Sequence, residues 1–440
     1  MIKSLLIANR GEIAVRIIRT CREMGISPVA VYSEADRHAL HVQMADSAVC
    51  VGPPSSRDSY LNMSNLISAA ILKGCDAIHP GVGFLAENSA FARLVEHAGL
   101  IFIGPSPDVI DLLGDKVKAK ETARKNHVPC IPGTDKAVDR ESALGEAESI
   151  GLPVIIKAAA GGGGKGMRIV RNKENLADAL RVASHEAEMA FSDGRVYLER
   201  YLENPRHVEI QLLGDEHGNV IHLGERDCTV QQNHQKLVEE SPSPVVTPEM
   251  RKKMGRDAVR LFKDLGYRGA GTIEFLVADN KYYFMEVNAR VQVEHTVSEM
   301  VTGIDIIREQ IRTCTGEALA YSQADVELKG YAIECRINAI APGRVEEFLP
   351  PGGYRVRVDS LLTQGYLVPP FYDALVAKVL ASGEDREDGI RRMSRALSEM
   401  RVVGFPVNIE LQKRIIGNST FKKGQFGTGF LEQLLKEDAK

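Results

Sequence analysis

Tryptophan is absent from the 440 residues, aromatics make up only 6%, and no apolar run reaches the length of a membrane span. The last absence argues against a membrane protein. The N-terminal MIKSLLIANRGEIAVRI meets Arg10 and Glu12 before a secretory core can form, so no signal peptide is expected. Cysteine is sparse: Cys21, Cys50, Cys75, Cys130, Cys228, Cys314 and Cys335 form no C-x-x-C pair. That spacing argues against a metal cluster or a disulfide framework, and for a reducing, cytoplasmic setting. Acidic and basic residues are mixed to a net charge of -4. With no basic stripe and no polybasic helix, neither nucleic acid nor a membrane surface is an expected partner. Low-complexity tracts and short repeats are also missing.

What is present is a soluble composition, 44% hydrophobic and 26% charged, in a chain too long for one ordinary core. Strand-like and helix-like segments alternate at the start. Ser4–Ala8 reads as a strand, Ile13, Ile17, Ile18 and Cys21 recur at helical spacing, and Val29–Tyr32 is the next strand. This predicts a doubly wound, Rossmann-like sheet. The charged helical stretch Lys116–Asn126 and then Pro129 and Pro132 mark a boundary. A small lid-like unit follows, with strands Val154–Lys157, Arg168–Val170 and Val196–Glu199 and a helix from Lys173 to Met189. The expected divisions are 1–112 (Rossmann-like), 113–201 (linker helices and lid), 202–330 (core) and 331–440 (a mixed α/β C-terminal portion), an α/β and α+β multidomain fold.

The run Ala160-Gly161-Gly162-Gly163-Gly164-Lys165-Gly166 can bring backbone N–H groups close to an anion, with Lys165 adding positive charge. Its match to G-x-G-x-x-G is weak, because Met167-Arg168-Ile169-Val170 reads as a strand where a dinucleotide fingerprint needs a helix. No Ser or Thr follows the lysine, which also disfavours a Walker loop. A flap between two strands over nucleotide phosphates fits better than a plain surface loop, since the ionisable Lys157 closes an otherwise apolar strand.

The richest segment is Glu286-Val287-Asn288-Ala289-Arg290-Val291-Gln292-Val293-Glu294. If extended, it places Glu286, Asn288, Arg290, Gln292 and Glu294 on one face. Carboxylates, amides and a guanidinium are the mixture needed to hold a metal and orient a small oxyanion. A hairpin about Asp279-Asn280 is expected to bring Glu274 close to Glu286. Two neighbouring carboxylates repel unless they are neutralised, either by Mg²⁺ ions or by a nearby Arg or Lys. Upstream, Gly224–Glu240 is dense in hydrogen-bonding groups. Lys236 suits a point charge for phosphate or bicarbonate, and His234 and Gln231 can reach a ribose or phosphate, although for either alone, as for His207, a surface or structural role is the stronger reading. Cys228, with no base partner, reads as a small packed residue.

Taken together these residues resemble the biotin carboxylase family of ATP-grasp enzymes. The matching stretches include Ile7–Ala14, His79–Asn88, Gly161–Gly166, Arg206–Glu209, Glu225–Cys228, Gln235-Lys236 with Glu239-Glu240, Met285–Asn288, Arg290–His295 and Glu334–Ala339. The resemblance implies an ATP-grasp fold with a Rossmann-like pre-ATP-grasp domain, a glycine-loop lid and a C-terminal domain, as a homodimer. It implies nucleotide binding by Lys116, Lys157, Gly163, Gly164, Lys165, Gly166, Met167, Glu199, Arg200, Leu202, His207, Gln231, His234, Glu274 and Glu286. By the same resemblance Glu274, Glu286 and Asn288 hold two Mg²⁺ or Mn²⁺ ions, and Lys236, Arg290, Gln292, Val293 (by its N–H) and Glu294 bind bicarbonate. Glu294 is the implied base, Arg336 the implied biotin-binding residue, and Arg290, Arg336, Lys236 and Glu294 the catalytic set. The implied reaction is ATP-dependent carboxylation of biotin through carboxyphosphate, a carbon–nitrogen ligase activity.

Three departures stand out. Val82 stands where the family has an aromatic residue, Gln232-Asn233 replaces an arginine pair, and a Pro-, Ser- and Gly-rich stretch is missing between Asn338 and Pro350. The pair at Gln232-Asn233 alters the expected phosphate or carrier contacts, and the shortened loop after Asn338, close to Arg336, bears on biotin placement more than on ATP. No Met-Lys-Met biotinylation site is present. The expected partners are therefore a separate biotin carboxyl carrier protein and carboxyltransferase subunits. Acetyl-CoA carboxylase, serving fatty acid synthesis, is the first expectation for the complex. Pyruvate or other acyl-CoA carboxylases are alternatives, as are an ATP-grasp carboxylate–amine ligase and a non-catalytic homologue.

Overall fold

Near-continuous apolar runs such as Leu5-Leu6-Ile7 and Val29-Ala30-Val31 suit strands buried on both faces. Strands β1 (Ser4–Ile7), β2 (Ser27–Ser33), β3 (Ser47–Gly52), β4 (Ala77–His79) and β5 (Ile101–Phe102) pair in parallel in the order β3-β2-β1-β4-β5. The order reverses at β1/β4, as in a doubly wound sheet. Helix Gly11–Glu23 covers one face with Ile13, Ile17, Ile18 and Cys21, while Leu6, Val31, Ile78 and Phe91 pack on the other. A computed structural model describes residues 2–134, 136–139, 141–158, 166–233 and 235–437. The chain divides into two compact units, the first of residues 1–114, 206–274 and 287–440, the second of 115–205 and 275–286. The fold is the expected α/β and α+β multidomain architecture.

The first unit also contains antiparallel sheet. Strands β9 (Arg206–Gly214), β10 (Val220–Gln232), β11 (Gln235–Ser241), β14 (Tyr331–Asn338), β17 (Val356–Ser360) and β19 (Leu375–Gly383) belong to an eight-stranded sheet that also includes β12 (Gly269–Ala278) and β13 (Lys281–Asn288). Its order is β13-β12-β9-β10-β11-β14-β19-β17. Ile333, Cys335, Val376 and Val379 pack beneath Met393 and Leu397 of helix Arg386–Glu399. Two short ladders complete this region, β15 (Gly343–Arg344) with β18 (Leu367–Val368), and β16 (Glu347–Leu349) with β20 (Arg401–Val403). The chain after Asn338 is brief: Ala339 bridges Val407, and β15 begins at Gly343.

In the second unit, β6 (Val154–Ala158) pairs antiparallel with β7 (Arg168–Val170) and with β8 (Val196–Arg200). Val154, Ile156, Val170 and Leu198 face Leu180 and Ala183 of helix Leu176–Phe191. That helix starts later than its periodicity predicts, because Lys173–Asn175 forms a 3₁₀ turn first. Asp279 and Asn280, at φ 51° and 56°, make the expected tight turn between β12 and β13. Among the described residues no helix is long and apolar enough to cross a membrane.

Burial holds several imidazoles neutral. It pushes His41 down to about 4, opposed only in part by Asp36, and His79 down to about 3. The unfolded chain protonates such groups near their ordinary value, so their stabilising effect is complete above about pH 6.5. It is lost as the pH falls toward 4 and 3, at about 1.4 kcal/mol per pH unit for each proton taken up. His79→Asn keeps an acceptor for the Gly81 N–H, which lies 3.0 Å from Nδ1. The variant is expected to lose one proton's worth of this slope between pH 6 and 4.5, as measured by urea denaturation.

Candidate active site

The site in the first unit is built on strands whose inward side chains are charged. β9 supplies His207 and Glu209, β10 supplies Arg226 and Gln231, β11 supplies Lys236 and Glu239, β12 supplies Glu274, and β14 supplies Arg336. A ladder spacing of about 5 Å brings such side chains within hydrogen-bonding reach. Lys236 Nζ donates to Glu209 at 2.7 Å, Glu274 at 2.8 Å and Glu294 at 2.7 Å. Burial disfavours its ammonium, but the three carboxylates outweigh this and hold its pKa well above the usual lysine value. Burial likewise opposes ionisation of Glu274 and Glu294. Lys236 with His207 for the first, and Lys236 with Arg336 for the second, nonetheless hold both well below the usual carboxylate range.

The cations are fixed in turn. Arg336 Nε donates to Glu239 at 2.6 Å, and its terminal nitrogen to Glu294 Oε2 at 3.0 Å. Arg290 Nε donates to Glu87 at 2.7 Å, and its NH2 to Asn288 Oδ1 at 3.0 Å. Gln231 donates to His207 Nδ1 at 2.7 Å, which leaves the other ring nitrogen, 2.9 Å from Glu274, to carry the proton. Burial opposes protonation of this imidazole, but the charge and hydrogen bond of Glu274, helped by Glu209, leave its pKa raised. Gln292 donates to Glu274 at 3.0 Å and accepts from Arg226 at 2.8 Å. Cys228 is fully buried, and its thiol pKa is pushed well up, chiefly by burial.

The segment expected to be one extended ribbon is not. β13 stops at Asn288, residues 289–292 are irregular, Val293-Glu294 turn, and Glu294 precedes the helix His295–Thr302. Strict alternation is therefore lost, yet Asn288, Gln292 and Glu294 still hydrogen-bond to side chains of the charged strands, while Arg290 bonds to Glu87, which lies off those strands, and to Asn288. Glu286 falls in the second unit and Glu274 in the first. Around Glu274 the neutralising groups are Lys236 and His207, the alternative to metal. Its carboxylate and the Asn288 amide oxygen are nonetheless hard oxygen donors of the kind Mg²⁺ takes.

The second unit gathers a smaller set. Lys120 donates to Glu199 at 2.6 Å and Lys157 at 2.5 Å. Lys116, about half exposed, lies 3.9 Å from Glu286. Arg200 is exposed, Leu202 and Met167 are half-buried, and Gly166 has φ +68°. A Cβ on Gly166 would sit 3.2 Å from that of Ala158, so the chain returns to β6 at close quarters. The strands that bracket the glycine run are antiparallel, as a flap requires. Gly163, Gly164, Lys165 and His234 lie outside the described residues.

Residue-by-residue reading missed the groups that hold this machinery. Glu87, Glu209, Arg226 and Glu239 stand inside the matching motif stretches but received no role, and Lys120 lies on the charged helix after Asp115. Arg226 is the clearest case. It is 0% exposed and donates to Glu209, Gln211, Ser298 and Gln292 at 2.6 to 3.0 Å. The signals that could have pointed to it are its place in the Glu225–Cys228 motif stretch and in a segment dense in hydrogen-bonding groups.

Family models for the biotin carboxylase N-terminal domain, the carbamoyl-phosphate synthase L chain ATP-binding domain and the biotin carboxylase C-terminal domain match residues 1–110, 115–322 and 334–433. The chain is 54% identical to biotin carboxylase 1 of Bacillus subtilis over 98% of both chains. It belongs to the biotin carboxylase family. The solved biotin carboxylase–β,γ-ATP complex from Campylobacter jejuni is similar at 45% identity and a TM-score of 0.94, covering 98% of this chain and 99% of that one. The 2-oxoglutarate carboxylase biotin carboxylase domain dimer of Hydrogenobacter thermophilus, solved with MgADP, ADP and bicarbonate, is 47% identical with a TM-score of 0.91, covering 98% of each chain.

Removing the buried guanidinium from this biotin carboxylase family member would strand a carboxylate. Arg226→Met is expected to destabilise the protein by about 3–5 kcal/mol, because Glu209 is left buried with one partner fewer. Denaturant midpoints of the variant and of Arg226→Met/Glu209→Gln check this, and the double variant should recover part of the loss.

Proposed function

We propose that this chain uses ATP and bicarbonate to carboxylate biotin carried on a separate protein, through carboxyphosphate. The supporting observation is Glu294, a buried carboxylate that accepts from both Lys236 and Arg336 while Arg290 lies on the same chain segment. In that arrangement Lys236, Arg290, the Gln292 side chain and the Val293 N–H bind bicarbonate, and Glu294 is its base. Glu294 is ionised throughout the neutral range, as a base must be. A bicarbonate anion sharing Lys236 adds like charge and draws on the same cation, which raises the basicity of Glu294. Deprotonated bicarbonate then attacks the γ-phosphorus of ATP, breaking its bond to the β,γ-bridging oxygen so that ADP leaves and carboxyphosphate forms.

Lys116, Lys157, Glu199, Arg200, Leu202, Met167, His207, Gln231, His234 and the glycine loop at Gly163–Gly166 bind the nucleotide in this reading. Mg²⁺ or Mn²⁺ held by Glu274, Glu286 and Asn288 would neutralise phosphate charge. Carboxyphosphate breaks down to CO₂ and phosphate, and the phosphate takes the biotin N1′ proton. The guanidinium groups of Arg336 and Arg290 stabilise the enolate oxygen that results, and CO₂ adds at nitrogen. Arg336 is already oriented by Glu239 at 2.6 Å. A homodimer in acetyl-CoA carboxylase, with a biotin carboxyl carrier protein and carboxyltransferase subunits, is the proposed assembly.

Glu294→Gln is expected to lower bicarbonate-dependent phosphate release by about 10²–10⁴-fold, the usual contribution of a positioned base. Phosphate assay with bicarbonate and free biotin measures it, and an unimpaired variant would remove Glu294 from the chemistry. Adding a biotinylated carrier should raise turnover further, and the carrier that co-purifies with the chain identifies the complex.

A further inference from the structure

Two side chains to which the proposed chemistry gives no role hold the backbone of Gln292-Val293-Glu294. His295 Nδ1 lies 2.7 Å from the Gln292 carbonyl oxygen. A carbonyl only accepts, so Nδ1 carries the hydrogen. Burial, with Lys378, Arg16 and Arg357 nearby, keeps this imidazole neutral. Lys378 Nζ donates to the next carbonyl, that of Val293, at 2.7 Å, and lies 3.2 Å from Glu12 Oε2. Lys378 is 0% exposed and Glu12 is buried in the first turn of helix Gly11–Glu23. Placing an ion pair so far from water is costly unless its hydrogen bonds are well used, and here one of them goes to a peptide carbonyl.

Both peptide units concerned are trans, since the cis bonds of the described chain are Leu152-Pro153 and Ser241-Pro242. In a trans peptide the N–H points opposite to the C=O. Fixing the Gln292 carbonyl on His295 therefore turns the Val293 N–H away from His295. Fixing the Val293 carbonyl on Lys378 likewise turns the Glu294 N–H away from Lys378. Among the described residues no acceptor takes either N–H. Two successive N–H groups without acceptors form a small anion-binding concavity, and they sit on the segment that carries Arg290 and Glu294.

We propose that His295 and the buried Lys378–Glu12 pair are positioning residues that aim the Val293 and Glu294 N–H groups at the bicarbonate. The inference rests on the bicarbonate reading above and adds to it the groups that set the pocket's backbone. Donors fixed before the anion arrives need no reorganisation when charge develops on it. The alternative is that these side chains only anchor the start of helix His295–Thr302.

An Asn amide places its N–H near the position of His Nδ1, whereas a Gln amide reaches the Nε2 position instead. Steady-state phosphate release by the full chain, with MgATP, bicarbonate and free biotin, then separates the roles. His295→Gln is expected to raise the KM for bicarbonate by about 10–100-fold, the scale of a displaced contact. KM for MgATP should stay within about twofold, and His295→Asn should recover most of the loss. Glu12→Gln, which loosens Lys378 without removing it, should shift the bicarbonate KM in the same direction by a smaller factor. The proposal is overturned if the two KM values rise together, if Asn serves no better than Gln, or if bicarbonate KM does not move. Absence of bicarbonate-dependent turnover in the unsubstituted protein would instead sink the underlying functional reading, and this inference with it.

Discussion

Lys236 donates at once to Glu209, Glu274 and Glu294, and the site depends on that shared ammonium. Three carboxylates buried this closely would repel strongly, and protonation would be the usual outcome. One cation between them, with Arg226, Arg336 and His207 around the rim, keeps Glu274 and Glu294 ionised instead. Such a network costs desolvation and adds little to net stability. What it provides is a set of charges whose directions are already set.

The two units use the same device at different scales. In the second, Lys120 and Lys157 converge on the single buried carboxylate of Glu199, which holds two flexible side chains in one orientation. Burial opposes ionisation of Glu199, but the two lysines outweigh it and lower its pKa. Both lysines are thereby held partly out of water beside one counter-charge. A phosphate-sized anion would meet two ammonium groups with the entropy of their long chains already partly lost.

Behind the first unit's site, the carbonyls of Gln292 and Val293 are pinned by His295 and Lys378, while the side chains of Gln292 and Glu294 are pinned by Arg226, Lys236 and Arg336. Backbone and side chain of one short segment are thus fixed from opposite directions. The strand has already ended at Asn288, where the next N–H, that of Ala289, goes to the Glu87 side chain. A ladder would spend the N–H and C=O groups on a neighbouring strand, whereas here the Val293 carbonyl takes Lys378, the Gln292 carbonyl takes the ring and backbone N–H of His295, and among the described residues the Val293 and Glu294 N–H groups have no acceptor.

Local patterning was enough to predict the parallel N-terminal sheet, since Leu5-Leu6-Ile7 and Val29-Ala30-Val31 suit little else. It also predicted the antiparallel strands that bracket the glycine run and the tight turn at Asp279-Asn280. Resemblance over many separate stretches carried the assignment to the biotin carboxylase family. What it did not reach was the extent of the ribbon after Asn288 or the roles of Arg226, Glu209, Glu87, Glu239 and Lys378. The residues themselves determine which side chains are charged and which elements form, because periodicity and propensity act over a few neighbours. Pairing Lys378 with Glu12, or Arg226 with Ser298, joins residues far apart in the chain, and only packing of the sheets decides that. Once buried, a charge must find its partner wherever the fold brings one, and no local pattern encodes that distance.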